Sequence, residues 1–276
     1  MKHMKHILVV LGLLAMAAQP VQADTDGLAA AIGGKHRTDA WVERDRYRHP
    51  MQTLSLFDLQ PDHTVVEIWP GGGWYTEILA PYLKKKGKLI AAHYDSSDAQ
   101  ASYRADSRKN FDKKLAANKK VFGKVQSGSL MFDEAAKTVV IPAAANNSVD
   151  RVVTFRNAHG WVAKDLLPTA LGHFYDILKP GGKLGLVQHQ ADVDQDWMSR
   201  NIGYVGREYI ISVAIEAGFV LESEGYFNNN PMDTKRYEIG VWQLPPSLRD
   251  LETDAQKAPY RAIGESDRMT LVFVKP

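Results

Sequence analysis

The chain has 276 residues, with 34 Lys or Arg against 32 Asp or Glu and no cysteine. An apolar share of 45% with 24% charged residues excludes a disordered or coiled-coil chain, and the length accommodates one large α/β domain. Near-neutrality argues against nucleic acid or an anionic membrane as the main partner, because counterion release dominates both, and the missing cysteines exclude disulfides, thiolate metal sites and a cysteine nucleophile.

The chain opens Met-Lys-His-Met-Lys-His, continues with the apolar run Ile7 to Ala18 and reaches Val21-Gln22-Ala23 before Asp24. A basic start, a short apolar core and a small-residue ending form the pattern of a secretory signal, so residues 1–23 are expected to be removed after Ala23. The run is shorter than the roughly 20 apolar residues that span a bilayer, so the protein from residue 24 to 276 is expected to be periplasmic or secreted. Removal of Lys2 and Lys5 leaves it with balanced charge.

Residues 24–53 are polar around Trp41 and Tyr47 and read as one or two helices lying on the domain. Thr64-Val65-Val66-Glu67-Ile68 is a β-branched run suited to a buried strand, followed by a glycine turn and a helix from Tyr75 to Leu83 that Pro81 ends or kinks. The helix places Ile78, Leu79 and Tyr82 on one face. Gly87 to His93 reads as a second strand, and Ser96 to Lys124 as a charged helical segment. Asp150 to Phe155 is a further strand, and Pro168 to Leu178 a helix stopped by Lys179-Pro180-Gly181-Gly182, which launches the strand Lys183 to Val187.

Gly206 to Ala217 is helical, Gly218 stops it, and Phe219 to Phe227 and Arg268 to Val274 are the last two strands. The intervening segment, 228–267, is too long for a hairpin and is a candidate lid. Alternation of strands and helices predicts parallel strands with right-handed crossovers and a ligand crevice at their carboxyl ends.

The most informative stretch is Val65-Val66-Glu67-Ile68-Trp69-Pro70-Gly71-Gly72-Gly73-Trp74-Tyr75-Thr76. A strand ending in an acid, then clustered glycines and a helix, lets the backbone approach a ligand closely. A dinucleotide fingerprint needs a further glycine where Thr76 stands, which argues against a nicotinamide-dependent oxidoreductase.

This stretch resembles motif I of the class I S-adenosylmethionine-dependent methyltransferases. Gly87 to His93 is similar to that family's second strand, Asp150 to Phe155 to its fourth, Leu178 to Gly182 to the turn before its fifth, and Arg268 to Pro276 to its last, antiparallel strand. The likeness covers roughly Thr53 to Pro276 and is greatest to a group of predicted exported bacterial methyltransferases with the same Glu-Ile-Trp-Pro-Gly-Gly-Gly-Trp-Tyr-Thr run. It implies a Rossmann-like fold, a mixed seven-stranded sheet with helices on both faces, and S-adenosylmethionine as cofactor.

Carried over residue by residue, the resemblance makes Gly71, Gly72 and Gly73 cofactor contacts and has Glu67 order the loop and the cofactor's amino acid end; a plain helix-capping role for Glu67 is the alternative. Two positions depart from the pattern: Trp69 replaces the family's first glycine, and His93 stands where an acid usually takes the ribose hydroxyls, with Asp95 two residues on, so His93 and Asp95 are the candidates for the ribose and either Asp95 takes it or that binding is weaker. Arg156 and Asn157 fall on the loop after the fourth strand, a place for cofactor and acceptor contacts, and His159 is the candidate general base, against simple packing beside Trp161. Arg46, Tyr47 and His49 lie on a covering amino-terminal helix and are candidates for the acceptor, against a solvated helix face.

Trp41, Trp74, Trp161 and Trp242 are candidates for an aromatic pocket, although tryptophan is more often core. His189, Asp192, Asp194 and Asp196 read as a solvated acidic loop rather than a metal site. The expected function is methyl transfer to a small molecule. The rival is an exported, non-catalytic protein that uses the same crevice for S-adenosylhomocysteine, a nucleoside or another ligand, since a fold does not establish an activity and the cofactor is made in the cytosol.

Overall fold

The computed structural model describes residues 24–95 and 102–276. The expected signal and the first residues of the charged helical segment lie outside the described residues. The strands are β1 (Thr64–Ile68), β2 (Lys88–His93), β3 (Gln126–Ser129), β4 (Met131–Asp133), β5 (Thr138–Val140), β6 (Val149–Phe155), β7 (Leu178–His189), β8 (Val220–Gly225) and β9 (Arg268–Val274). Seven form one sheet in the order β3-β2-β1-β6-β7-β9-β8, while β4 and β5 make a separate antiparallel pair that the sequence pattern did not disclose. β3, β2, β1, β6 and β7 are parallel, and β9 runs antiparallel to β7 and β8.

β1 lies in the interior of the sheet, with parallel neighbours on both sides, which explains its unbroken β-branched sequence. Its residues alternate between two cores: Val66 and Ile68 pack with Leu171 and Phe174, whereas Val65 packs with Leu54, Phe57 and Ile78. β7 begins earlier than expected, because Lys179 to Gly182 is not a free turn; Gly181 takes φ 75° and donates its N–H to the Lys275 carbonyl, whose own N–H donates to the Gly182 carbonyl.

Residues 24–56 form four short helices rather than one or two: α1 (Thr25–Ile32), α2 (Asp39–Val42), α3 (Asp45–Arg48) and α4 (Pro50–Leu56). Pro50 cannot continue α3, so His49 turns to φ 40° and Pro50 starts α4 at its first helical position. α5 (Thr76–Leu83) is buried nearly all round, not only on the face of Ile78, Leu79 and Tyr82. Pro81 has no N–H for the Glu77 carbonyl four residues earlier, and His36 Nε2 takes that oxygen at 2.6 Å instead.

The Glu77 carboxylate receives the Thr38 N–H and hydroxyl at 3.2 and 3.1 Å and the Lys114 ammonium at 2.6 Å. Lys114 lies on α6 (Ser102–Ala117), followed by α7 (Lys119–Phe122). Glu77 therefore anchors the amino-terminal arm to the body of the domain.

The other face carries α8 (Ala158–Val162), α9 (Leu167–Ile177), α10 (Trp197–Arg200) and α11 (Arg207–Glu216). Between β8 and β9 the expected lid contains a short 3₁₀ turn, Gly240–Gln243, and α12 (Asp254–Ile263). Its ends are pinned. Asn228 donates to the Thr53 and Thr270 hydroxyls at 3.1 and 2.8 Å, and Asp233 accepts from the Tyr204 hydroxyl and the Asp267 N–H. Gly240, at φ 63°, lets the segment press onto the Ile202 backbone, where any Cβ would collide with that carbonyl. Among the described residues no helix is long and apolar enough to cross a membrane.

Glu77→Ala should cost about 3 kcal/mol in denaturant-induced unfolding, because it strands a part-buried ammonium and two donors. Limited proteolysis should then cut residues 24–50 first; unchanged stability would remove Glu77 as the anchor.

Candidate functional site

The carboxyl ends of β1, β6 and β7 open on a cavity of about 310 Å³. Its floor is the loop after β1, its far wall the loop after β6, and its cover comes from Arg44 and Arg48 on one side and Trp242, Pro245 and Pro246 on the other. The expected crevice and the expected lid thus meet at one place.

Glu67 is only 1% exposed yet borders this cavity, and it accepts a 2.7 Å hydrogen bond from the Thr76 hydroxyl at the start of α5. Burial raises its pKa to about 7, against the opposing pull of Thr76 and Lys114. This contact ties the end of β1 to the first residue of α5 across the glycine loop. Gly71 and Gly72 line the cavity and Gly73 does not. At Gly71, with φ 58°, a Cβ would find no atom within 4 Å, whereas at Gly73, with φ 87°, it would meet the ring of Phe111 at 3.1 Å. Gly73 belongs to the turn itself, and Gly71 leaves an open cradle.

Trp69 adopts φ 43°, a left-handed conformation that costs a bulky residue about 1–2 kcal/mol and that glycine takes freely. Its ring does not fill the cavity. It packs in the wall against Tyr94 and Trp161, with centroids 5.0 and 5.4 Å away, and its buried Nε1 has no hydrogen-bond partner.

His93 does not offer a ring nitrogen to a ribose. It is 0% exposed, Nδ1 accepts from the Tyr94 N–H at 2.7 Å, and Nε2 therefore carries the proton and donates to the Gly71 carbonyl at 3.0 Å. Burial lowers its pKa to about 4, so it stays neutral and braces the glycine loop. Tyr94 borders the cavity, and Asp95 does not.

On the far wall, Asn157 Nδ2 donates to the Ile68 carbonyl at 2.8 Å and to the Thr154 hydroxyl at 3.2 Å, joining the ends of β1 and β6. Arg156, at φ 64°, borders the cavity, and its guanidinium makes no hydrogen bond or ion pair with the described residues. Burial and the neighbouring Arg48 push its pKa well down.

His159 borders the cavity but is not suited to act as a base. The Gln188 amide is oriented by the Ala158 N–H and the Gly203 carbonyl, so its Nε2 donates to His159 Nδ1 at 3.3 Å. That leaves the only ring proton on Nε2, making His159 a donor, and burial lowers its pKa to about 4.

Arg46, Tyr47 and His49 do not enter the cavity and instead line a separate groove beside Asn228 and Asn230. Helical spacing explains the correction: Arg44 and Arg48, four residues apart, share the inward face. The charge of the Arg44 to His49 cluster was the readable signal, and only its phase was misjudged.

Arg44, Arg48 and Arg268 converge on Glu265, at 2.7, 3.0 and 3.1 Å. Desolvation opposes ionisation, but Arg48 and its neighbours hold the Glu265 carboxyl at about 2. Nothing in the sequence pattern singled out Glu265. His189, grouped with an acidic loop in the sequence, faces the cavity and shares a hydrogen bond with the Ser266 hydroxyl, while Asp192 pairs with Lys235. Among the described residues no three such side chains are grouped to hold a metal ion. Of the four tryptophans expected to form an aromatic pocket, Trp41, Trp74 and Trp242 line it, and Trp161 is core.

A parallel sheet in which one strand, β9, runs antiparallel between β7 and β8, a glycine loop after β1 and a cavity across the ends of β1 and β6 define the Rossmann-like fold of class I methyltransferases. Solved structures with this architecture include a SAM-dependent methyltransferase from Aquifex aeolicus, at TM-score 0.53 and 14% identity over 92% of this chain and 99% of that one. Another is geranyl diphosphate C-methyltransferase from Streptomyces coelicolor A3(2), in complex with Mg2+, geranyl diphosphate and S-adenosyl-L-homocysteine, at TM-score 0.52 and 15% identity over 90% and 88%. No family model matches the chain, and no curated protein matches it in sequence.

The raised pKa of Glu67 has a definite sign in stability. The group is at about 7 folded and near 4.5 unfolded, so its contribution is fully present below about pH 4.5 and is lost as pH rises through 7. Glu67→Gln should therefore gain about 3 kcal/mol on the wild type between pH 4 and pH 8 in urea titrations. A pH-independent difference between the two proteins would refute it.

Proposed function

We propose that this protein is an S-adenosylmethionine-dependent methyltransferase that is exported by its leader and methylates a small molecule. The observation that carries this reading is a single cavity bounded on one side by Glu67, Gly71 and Gly72 and on the other by Arg156, Asn157 and His159, where a methyl donor and an acceptor would face each other. When bound, the cofactor supplies an electrophilic methyl group on a sulfonium, so the protein needs mainly to align the acceptor and exclude water.

The residues present fit such a cofactor. Gly71 offers an open cradle, His93 and Lys114 hold the carbonyls of Gly71 and Gly72 at 3.0 and 3.3 Å, and Glu67 ties the loop to α5. Asn157 fixes the opposite edge, with its amide donors already used on Ile68 and Thr154. His159 presents a proton rather than removing one, so an acceptor with an acidic proton would have to lose it elsewhere, and His189 beside Ser266 is the neighbouring imidazole. Trp242, Pro245 and Pro246 cover the cavity against water.

The rival reading as a non-catalytic binding protein drew on Trp69 and His93. Trp69 packs in the wall and His93 supports the loop, so neither blocks the cavity.

Titration calorimetry should give micromolar affinity for S-adenosylmethionine and S-adenosylhomocysteine. Gly71→Val should weaken both by about tenfold or more, with the melting transition still cooperative, because the new side chain occupies the cradle. Absence of binding to the wild type would end the methyltransferase reading. For export, amino-terminal sequencing of the cell-envelope fraction should start at Asp24, and Met1 in most molecules would overturn cleavage.

A further inference from the structure

The polar groups around the cavity are out of electrical balance. Arg44, Arg48 and Arg268 share the single carboxylate of Glu265, and Arg156 stands close enough to that cluster to feel Glu265, Arg48 and Arg268 while bonding to none of the described residues. The nearby acids Asp45 and Asp267 are already paired with Arg37 and Lys235. Two cluster guanidinium nitrogens, Arg44 Nη2 and Arg48 Nη2, are buried without a hydrogen-bond partner, although Arg48 as a whole is only 2% exposed. Buried donors are normally satisfied, and buried cations are normally paired, so these groups describe a ligand.

The cofactor brings no net negative charge. S-adenosylmethionine carries one carboxylate against an ammonium and a sulfonium, so its arrival makes the site more positive. Glu67 adds at most one negative charge, and it belongs to the opposite, glycine-loop side of the cavity. The compensating anion must come with the other substrate.

We infer that the methyl acceptor carries a carboxylate or a phosphate, which is seated by the guanidiniums of Arg44, Arg48 and Arg156. This rests on the methyltransferase reading for the word acceptor, but the anion site stands on the arginines alone. Planar guanidiniums suit both oxyanions, because each presents paired donors to paired oxygens. The body of the acceptor would lie among Trp74, Tyr75, Phe155 and Trp242, which makes the rest of the wall aromatic. Trp74 is itself held under Arg37 and Arg48, with guanidinium carbons 5.0 and 4.8 Å from its ring centre.

The test is titration calorimetry on the purified protein, alone and saturated with S-adenosylhomocysteine, using benzoate, phenyl phosphate and the neutral isostere benzamide. Wild type should bind at least one of the two anions about tenfold or more tightly than benzamide, and whichever anion binds better identifies the head group. In Arg156→Gln that preference should disappear while affinity for S-adenosylhomocysteine stays within about twofold. The same variant should still melt in one cooperative transition near the wild-type temperature, because Arg156 bonds to none of the described residues, and this certifies folding.

Equal binding of benzamide and the anions overturns the inference. So does a parallel loss of S-adenosylhomocysteine affinity in Arg156→Gln, which would assign the arginines to the cofactor's own carboxylate. Intact anion binding with no affinity for S-adenosylhomocysteine would uphold the anion site and overturn methyl transfer.

Discussion

The cavity depends on one carboxylate. Glu265 is nearly enclosed, and its three arginine partners come from opposite ends of the chain, Arg44 and Arg48 from the amino-terminal arm and Arg268 from the first residue of the last strand. Removing charges from water costs several kcal/mol per ion, so a cluster of this kind demands favourable geometry and hydrogen bonds for its donors, a demand that the Nη2 atoms of Arg44 and Arg48 leave partly unmet. Arg268 meets part of that demand by donating also to the Ser266 and Tyr47 carbonyls. The arrangement brings the arm and the cover together over the sheet, and in doing so it leaves cationic groups facing inward. Structure and recognition are coupled at Glu265, because the ion that closes the cavity is also the one carboxylate that, among the described residues, pairs with Arg44, Arg48 and Arg268.

The opposite side of the cavity is organised by exclusion rather than by charge balance. The glycine loop is held from behind, by His93 at the Gly71 carbonyl and Lys114 at the Gly72 carbonyl, so that its front edge at Gly71 stays bare. Trp69 shows the same economy of space. A left-handed backbone is unfavourable for tryptophan, but the conformation sends the ring into an aromatic wall with Tyr94, Phe132 and Trp161, and burial of that area more than offsets the local strain. The departure from glycine therefore rebuilds the wall and leaves the loop open.

Much of the fold was legible because its signals are local. β-branched runs mark the buried strands β1, β6 and β9, a glycine marks the turn at Gly218, and the strand–glycine–helix sequence around Glu67 to Thr76 marks the ligand edge. The candidate site was legible to the same extent: Glu67, Gly71, Gly72, Arg156, Asn157 and His159 all border one cavity. What was not legible was the direction and bonding of each side chain. Arg46, Tyr47 and His49 were read in place of Arg44 and Arg48 because two short helices broken at His49 have no periodicity long enough to set a phase. His93 and His159 looked like free imidazoles, and their roles changed once Tyr94 N–H and Gln188 were found on their Nδ1 atoms.

By itself the sequence determined the alternation of strands and helices, the position of the glycine loop and the chain segment that crosses the sheet end between β8 and β9, since each follows from propensities and patterns within a dozen or so residues. The tertiary structure alone decided that Glu265 would meet Arg44 and Arg48, that Glu77 would anchor Thr38 and Lys114, and that Arg156 would stand without a counter-ion among the described residues. Those outcomes depend on groups separated by as many as 221 positions converging in a space from which water has been displaced. Coulombic and hydrogen-bonding energies there are set by distance and desolvation, and neither quantity is written in the order of the residues.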